Sequence, residues 1–319
     1  MRLLFITATR IGDAVLSTGL LGHLLARHPG MRLTIAAGPA AAPLFAAVPG
    51  LDRLIVMEKR RGALHWFALY AAVLGTRWDL AIDLRGSALA WFLPVRERHR
   101  VGKGDAGQHR VAELGRLLAL TPPPAPRLWI GAAHERAAAL LVPPGGPVLA
   151  VGPAANWRGK QWRAERFAEL VARLTGPAGI LPGARIAVLA AAHEHAQAMP
   201  LLAAIPEARR LDLIGRTDLL TAGAVLRRAA LFIGNDSGLM HLAAAAGAPT
   251  LGLFGPSPAQ RYAPWGAHAA VVQTAIPPSG LLGPGFDHRT TDTLMDSLTV
   301  DAAEAAAVGL WRGSGGAAA

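Results

Sequence analysis

The stretch that decides the fold class is residues 231–254, which read LFIGNDSGLMHLAAAAGAPTLGLF. Leu231–Ile233 and Thr250–Phe254 are short apolar runs with the length and composition of buried strands. Between them, Gly238–Ala246 is rich in alanine and follows a run of polar residues, which is the pattern of a helix start. A strand, a helix and a second strand in this order predict a β-α-β unit with parallel strands.

The same alternation of short apolar runs and helical patterns extends outward through most of the chain. The other predicted strands are Leu3–Ala8, Leu33–Ala37, Leu54–Met57, Asp79–Asp83, Val148–Val151, Ile186–Ala190 and Leu211–Ile214. The other predicted helices are Ala14–Arg27, Leu64–Leu74, Val111–Leu120, Ala164–Leu174, His193–Ala203, Leu219–Arg228 and Val300–Leu310. Repeated β-α-β units predict an α/β protein with parallel, doubly wound sheets covered on both faces.

The chain length predicts two domains, because 319 residues exceed the roughly 100–200 residues of one domain. The segment 141–147 reads LVPPGGP and is the best linker, since its prolines and glycines interrupt any element. We therefore expect Rossmann-like domains over 1–145 and 146–312, with the last helix packing back on the first domain, and a disordered tail at 313–319. Two such domains facing one another leave a central cleft at the carboxyl ends of their strands, where ligands bind.

The composition excludes several classes of protein. With 52% hydrophobic and 17% charged residues the chain is not globally disordered, and with no cysteine it has no disulfide, thiolate metal site or cysteine nucleophile. No apolar run reaches the ~20 residues of a membrane-spanning helix. Arg10 and Asp13 interrupt the apolar start too early for a signal peptide. We expect a cytoplasmic protein, with peripheral contact to a membrane left open.

The charge is strongly basic and unevenly distributed. The formal net charge of +11 favours an anionic partner, whether nucleic acid, an anionic membrane surface or a phosphorylated substrate. Residues 1–142 hold 18 Lys and Arg against 9 Asp and Glu, whereas residues 143–319 hold 14 against 12. A genome rich in G and C favours arginine over lysine, but such a bias does not explain this asymmetry. The first half therefore carries a candidate basic binding face.

Two strand-to-helix turns carry candidate site residues. The first, TRIGDA at 9–14, lacks the G-x-G-x-x-G pattern, which counts against an NAD or FAD enzyme. The carboxylate of Asp13 at the helix start is either an N-cap or a catalytic group, and the residues alone leave both open. The second turn, GNDSGLMH at 234–241, has more polar residues than a cap needs. Because backbone N–H groups at a helix start bind anions, we favour a phosphate site there.

Basic residues follow other predicted strands. Lys160, in the loop 156–162 (NWRGKQW), could reach a diphosphate as a point charge or remain a solvated loop residue. Lys59–Arg61 and Arg85 follow two strands of the first half and are candidates for binding an anion, the alternative being a solvated face. The 11 histidines show no H-E-x-x-H pattern, so we predict no metal site.

In their order along the chain these motifs resemble glycosyltransferase family 9, the ADP-heptose–lipopolysaccharide heptosyltransferases. The motifs that carry the resemblance are RIGD at 10–13, WDLAIDLRG at 78–86, KQW at 160–162 followed by Phe167, GNDSG at 234–238 with His241, GPSP at 255–258, RY at 261–262 and PWG at 264–266. The resemblance extends over nearly the whole chain, to about Ala306.

The resemblance implies a GT-B fold and an inverting transfer of a heptose or related sugar from an ADP-sugar to the lipopolysaccharide inner core. It implies no metal or other cofactor, no nucleic acid, and work at the cytoplasmic face of the inner membrane. Asp13 would be the general base. The donor residues, in the second domain, would be Asn156, Lys160, Glu194, Asn235, Asp236, Ser237, Gly238 and His241. The residues for the anionic acceptor, in the first domain, would be Arg10, Lys59, Arg60, Arg61 and Arg85.

Two other functions remain as alternatives. A sugar-nucleotide epimerase could use the same architecture, but it needs no separate basic surface for an acceptor. A nucleic-acid-binding protein would fit the basic charge, yet aromatic residues make up only 6% of the chain and no known binding motif is present.

Overall fold

The computed structural model describes residues 1–59, 61–102, 104–105, 107–283 and 286–315. The chain divides into two compact units, Met1–Gly131 and Ala132–Ala319. Each unit is built on one parallel sheet with helices packed against it, which confirms the predicted α/β class. No helix in the described part of the chain combines the length and the apolar character needed to cross a membrane.

The first unit contains a five-stranded sheet in the order β3-β2-β1-β4-β5. Its strands are β1 (Arg2–Ile6), β2 (Arg32–Ala37), β3 (Leu51–Val56), β4 (Trp78–Asp83) and β5 (Val95–Arg100). Its helices are α1 (Ile11–Arg27), α2 (Leu64–Val73) and α3 (Arg110–Arg116). Strand β1 lies between β2 and β4, where the strand order reverses, and ligands of doubly wound sheets bind beside such a reversal. The turn between β1 and α1 therefore lies at the end of the sheet where doubly wound proteins bind ligands.

The second unit contains a six-stranded sheet in the order β11-β10-β9-β6-β7-β8. Its strands are β6 (Val148–Gly152), β7 (Arg185–Ala190), β8 (Arg210–Ile214), β9 (Leu231–Asn235), β10 (Thr250–Phe254) and β11 (Ala269–Gln273). Its helices are α4 (Ala132–Leu141), α5 (Ala164–Thr175), α6 (His195–Ala204), α7 (Leu219–Leu226), α8 (Gly238–Ala246), α9 (Ala259–Tyr262), α10 (Pro278–Leu281) and α11 (Val300–Gly313). Strands β6, β9 and β10 are fully buried, and their sequences are mostly apolar, as expected for strands covered on both faces of a parallel sheet.

The division between the units falls before α4, earlier in the chain than the expected linker. Helix α4 packs on α7, and Glu135 on α4 accepts ion pairs from Arg227 at 2.9 Å and Arg228 at 2.7 Å. The proline- and glycine-rich segment 141–147 thus joins α4 to β6 inside the second unit. The linker-like composition of 141–147 therefore indicated a break between two elements and not a domain boundary. The sequence around α4 could not show that this helix belongs to the second unit, because its packing partner lies about 90 residues away.

Helix α11 packs on α5, β10 and β11 of the second unit. The predicted packing of this helix on the first domain stays a prediction. The buried Ala303 and Ala307 of α11 join the core of the second unit. Arg173 on α5 reaches across to Asp301 at 2.6 Å and to Glu304 at 2.9 Å. The helix runs to Gly313, into the predicted disordered tail, and residues 316–319 lie outside the described residues.

Candidate active site

Asp13 is the third residue of α1. The N-cap of this helix is Arg10, which makes no side-chain capping bond. The interpretation of Asp13 as an N-cap is therefore wrong. The Asp13 side chain is half-buried and has no hydrogen bond or ion pair with any residue that the structure describes. A carboxylate in this position, with its oxygens unused, can accept a proton from a ligand.

The turn that carries Asp13 is held by buried hydroxyl groups. Ser17 on α1 donates its hydroxyl proton to the Ala14 carbonyl at 2.7 Å, so Thr7 donates to Ser17 Oγ at 2.9 Å. These two hydrogen bonds connect the residue after β1 to the first turns of α1. A Cβ at Gly38 would come within 2.6 Å of Thr9 Cα, so only glycine lets the end of β2 approach the turn this closely. The backbone around Asp13 is thereby fixed on two sides.

The turn after β4 is organised by Asp83, a residue that the sequence analysis did not assign to the site. The carboxylate of Asp83 is fully buried and accepts hydrogen bonds from the Arg85 amide at 2.9 Å and from Ser87 Oγ at 2.5 Å. Burial raises the pKa of this carboxyl, and the hydrogen bonds from Ser87 and from the Arg85 amide oppose that rise. The D-x-R-x-S spacing was the signal that could have found it.

Arg85 is positioned by this turn and by an aromatic ring. Its guanidinium lies 4.8 Å from the centre of the Trp66 ring on α2. Burial lowers the pKa of Arg85 and the charge of Asp83 opposes this, but a guanidinium stays charged at neutral pH. Arg85 therefore offers an oriented cation at the carboxyl end of β4.

The remaining basic candidates of the first unit are exposed. Arg10 precedes α1, Lys59 follows β3, and Arg61 begins a short 3-10 turn before α2. None of these three forms an ion pair with a described residue, whereas Arg60 lies outside the described residues. Turns that follow parallel strands lie at the carboxyl ends of those strands, so these cations lie at the same end of the sheet as Asp13. Because they have no ion-pair partner among the described residues, they are available to an anionic ligand.

In the second unit, the start of α8 has the geometry of an anion site. Ser237 is its N-cap with an extended backbone and no side-chain capping bond, and Gly238 is the first helical residue. The N–H groups of the first helical turn are therefore not satisfied by the cap side chain. The preceding Asn235 is fully buried, donates to the Pro153 carbonyl at 2.7 Å and accepts from the Trp162 amide at 3.1 Å. Because both ends of its amide bind backbone, Asn235 fits a role in holding the loops together.

Lys160 and Asp236, predicted separately, form one ion pair. The Lys160 Nζ atom lies 2.6 Å from Asp236 Oδ2, and the two side chains are 20% and 9% exposed. The alternative of a solvated loop lysine is therefore wrong. A lysine ammonium has three donor hydrogens, and this pair uses one of them. Lys160 is held beside the start of α8 with donors left for a ligand.

The loop that carries Lys160 is fixed by contacts that the sequence did not reveal. The Trp162 indole donates to the Leu298 carbonyl at 3.0 Å, and the Leu294 amide donates to the Gly159 carbonyl at 3.0 Å. Arg158 pairs with Asp292 at 2.8 Å, and its hydrogen bond lowers the pKa of Asp292 to about 2. The segment before α11 thus lies along this loop and stabilises it.

The other donor candidates are more dispersed. Asn156 is exposed, and Glu194 accepts from the Ala191 amide at 2.9 Å, which caps a short 3-10 turn after β7. Neither side chain bonds to the Lys160–Asp236 pair among the described residues. His241 is buried at 5% exposure on α8. In the described part of the chain, no group of three or more metal-ligating side chains comes together.

Residues 120–280 match the family model for glycosyltransferase family 9 (heptosyltransferase). The chain belongs to this family. It is therefore a glycosyltransferase, as the sequence motifs predicted. The matched region contains the Lys160–Asp236 pair and all of α8, whereas Asp13 lies before it.

Curated relatives extend the similarity of this family 9 enzyme to most of its length. The lipooligosaccharide heptosyltransferase 2 of Haemophilus influenzae is 25% identical over 313 residues, covering 86% of this chain and 88% of the relative. The lipopolysaccharide heptosyltransferase 2 of Escherichia coli K12 is 26% identical over 311 residues, with the same coverage.

Solved structures agree with the fold. A family 9 glycosyltransferase from Veillonella parvula is 19% identical, covers 97% of this chain and 96% of its own, and has a TM-score of 0.76. The ADP-heptose lps heptosyltransferase II of E. coli is also 19% identical, covers 99% of this chain and 100% of its own, and has a TM-score of 0.74. This similarity confirms the predicted GT-B fold class.

Proposed function

We propose that this family 9 enzyme transfers a heptose from ADP-heptose to the inner core of lipopolysaccharide, with inversion at the anomeric carbon and without a metal ion. The observation that carries the proposal is the Lys160–Asp236 pair beside the start of α8. It lies in a chain that is 25% identical to heptosyltransferases 2 over 86% of its length. In our proposal the Lys160 ammonium of this pair contacts the donor diphosphate.

In the proposed reaction the second unit binds the donor. An acceptor hydroxyl oxygen attacks the anomeric carbon while the bond from that carbon to the diphosphate oxygen breaks. The departing ADP gains negative charge, which the Lys160 ammonium and the N–H groups of the first turn of α8 stabilise. These groups are in place before the bond breaks, so they can do the work that a divalent metal does in other sugar-nucleotide enzymes.

The first unit binds the acceptor and accepts its proton. A neutral hydroxyl is a weak nucleophile, and a positioned base typically contributes about 10²–10⁴-fold to the rate. The unused Asp13 carboxylate takes that proton in our proposal. Arg10, Lys59 and Arg61 are unpaired among the described residues and bind the carboxylates and phosphates of the core, together with Arg60 and Arg85.

The proposal is tested by incubating the purified chain with ADP-heptose and a delipidated lipopolysaccharide core. We expect release of ADP and a mass gain of one heptose on the core, both unchanged by EDTA. ADP-heptose alone serves as the control: conversion to an isomeric sugar nucleotide without an acceptor would favour the epimerase alternative. Loss of transfer in EDTA that added Mg²⁺ restores would contradict the metal-independent mechanism.

Reversing the charge of Arg60 and Arg61 to Glu should raise KM for the lipopolysaccharide core about tenfold, which corresponds to about 1.4 kcal/mol. The donor KM should remain nearly unchanged, because the donor groups are in the second unit. The wild-type acceptor KM should also rise with salt, since exposed charges are screened over about 8 Å at physiological ionic strength. Steady-state kinetics on the delipidated core, at two salt concentrations, measures both effects.

The matched control for this charge reversal is Arg77→Glu. Arg77 is an exposed arginine of the same unit. It directly precedes β4 and therefore lies at the opposite end of the strands from Asp13. Arg77→Glu should leave both KM values near those of the wild type. If the wild type and the Arg60/Arg61 variant have equal KM values for the acceptor, these two residues do not belong to the acceptor site.

A further inference from the structure

Helix α2 exposes an apolar surface on the side that faces away from the core. Its sequence, LHWFALYAAV, contains no Asp, Glu, Lys or Arg. Leu69 and Val73 are buried in the core, whereas Leu64 is 55% and Phe67 is 69% exposed. At 100° per residue, the two exposed side chains lie on the opposite side of the helix from the two buried ones. A helix that is apolar on both sides needs a second apolar environment.

A second exposed apolar segment lies on the same side of the sheet. It is the 3-10 turn Leu89–Phe92, in which Trp91 is 67% and Phe92 is 69% exposed. The buried Leu89 of this turn belongs to the same core cluster as Leu69 of α2. Six of the eleven exposed large apolar side chains among the described residues lie between positions 56 and 92. We call α2 and this turn the aromatic face.

Arginines of the edge strand β5 border the aromatic face. Arg98 pairs in register with Ala81, a member of the core cluster beneath α2, so both side chains point to that side of the sheet. The Arg98 guanidinium lies 5.9 Å from the centre of the Trp91 ring and donates to the Ala90 carbonyl at 2.9 Å. Alternation along β5 places Arg96 on the same side, and it is exposed.

We propose that the aromatic face docks on an anionic phospholipid bilayer. Tryptophan and phenylalanine side chains enter the boundary between headgroups and acyl chains, and neighbouring arginines bind lipid phosphates. A second copy of the chain fits less well, because a symmetric pair of these faces would bring arginine-rich edges of like charge together. The benefit of docking rests on the proposed function, since a lipopolysaccharide acceptor is anchored in a membrane.

The test is co-sedimentation of the full chain with vesicles of mixed phosphatidylglycerol and phosphatidylcholine, compared with vesicles of phosphatidylcholine alone. We expect binding to the anionic vesicles that weakens at high salt. Phe67→Ser and the double variant Trp91→Ser/Phe92→Ser should each weaken it about tenfold or more, because a buried aromatic side chain is lost from the membrane. Arg96→Glu should weaken binding at low salt.

Leu140→Ser is the matched control, because Leu140 is an apolar side chain of α4 that is 82% exposed in the second unit. It should bind vesicles as the wild type does. Absence of wild-type binding, or equal losses in Leu140→Ser and Phe67→Ser, would overturn the proposal. A wild-type dimer in light scattering that Phe67→Ser converts to monomer would also overturn it, by assigning the face to self-association.

Activity separates this inference from the proposed function. Phe67→Ser should use the delipidated core as well as the wild type does, and should be slower only on acceptor presented in vesicles. If the wild type binds anionic vesicles but transfers no heptose to either acceptor, the proposed function fails and the docking surface stands. If transfer occurs on both acceptors without any effect of Phe67→Ser, the docking surface fails and the function stands.

Discussion

Asp13→Asn is expected to lower kcat by about 10²-fold or more while leaving the fold and the affinity for ADP-heptose intact. Asparagine has nearly the same size and shape as aspartate but cannot accept the proton of the acceptor hydroxyl. Because the Asp13 side chain has no partner among the described residues, the exchange breaks no hydrogen bond or ion pair there. Steady-state kinetics and calorimetric titration with ADP-heptose measure the two quantities separately.

A purely structural role for Asp13 makes a different prediction. An acidic residue in the first turn of a helix stabilises it by typically about 0.3–1 kcal/mol through the helix dipole. Losing such an interaction would lower Tm slightly and leave kcat nearly unchanged. The two roles are therefore distinguished by comparing Tm with kcat in the same variant.

Asp301→Asn provides the matched control, because Asp301 lies in the first turn of α11 in the second unit. This exchange also removes a first-turn carboxylate, together with an exposed ion pair to Arg173. It should leave kcat near the wild-type value. A kcat of Asp13→Asn within about threefold of the wild type would contradict the assignment of the general base, since proton transfer to a positioned base contributes about 10²-fold or more.

The elements that the sequence predicted well carry clear local signals. Helix α8 was predicted with the bounds that the structure shows, because the polar turn before it and Gly247 after it mark both ends. The central strands were predicted correctly because their short apolar runs are typical of strands that are buried on both faces of a parallel sheet. Strand β5 was missed: its sequence VRERHR has the charged side chains that protect the edge of a sheet.

The site was predicted residue by residue but not as a set of contacts. Lys160 and Asp236 are 76 positions apart, and neither local sequence contains a sign of the other. The same holds for Trp162, whose indole bonds to Leu298 at a separation of 136 positions. Local propensity and periodicity describe neighbours within a few residues. The Lys160–Asp236 contact joins the loops that follow the paired strands β6 and β9, and the Trp162–Leu298 contact joins one of these loops to the segment before α11. Asn235 shows the effect of such distant contacts on the site prediction. It was predicted to contact the donor, and in the structure its side-chain amide is hydrogen-bonded to the backbone of Pro153 and Trp162.

Lys160→Ala is expected to weaken ADP binding by roughly 1.5–3 kcal/mol, which is about 10- to 150-fold in Kd, because a charged hydrogen bond to the diphosphate is lost. Breaking the ion pair with Asp236 adds to this loss of ADP affinity. Asp236 is only 9% exposed, and without Lys160 its negative charge would remain next to the anionic donor. Calorimetric titration with ADP, which needs no acceptor, measures the effect on donor binding alone.

Arg158→Ala is the matched control for the loss of a cation from the same loop. Arg158 is exposed and pairs with Asp292, so its removal should change the Kd for ADP by less than about threefold, in line with the small contribution of exposed ion pairs. An ADP affinity of Lys160→Ala equal to that of Arg158→Ala would exclude direct contact between Lys160 and the diphosphate.

Combining Lys160→Ala with Asp236→Asn separates donor binding from structural pairing. If Lys160 served only to neutralise Asp236, Lys160→Ala would lower Tm, and adding Asp236→Asn would restore both Tm and ADP affinity, because no buried charge would remain unpaired. If Lys160 contacts the diphosphate, adding Asp236→Asn restores Tm but only part of the affinity, since the cation is still missing. The expected result is the second: stability recovers, and the remaining loss in ADP affinity is the contribution of the Lys160 ammonium to binding the donor.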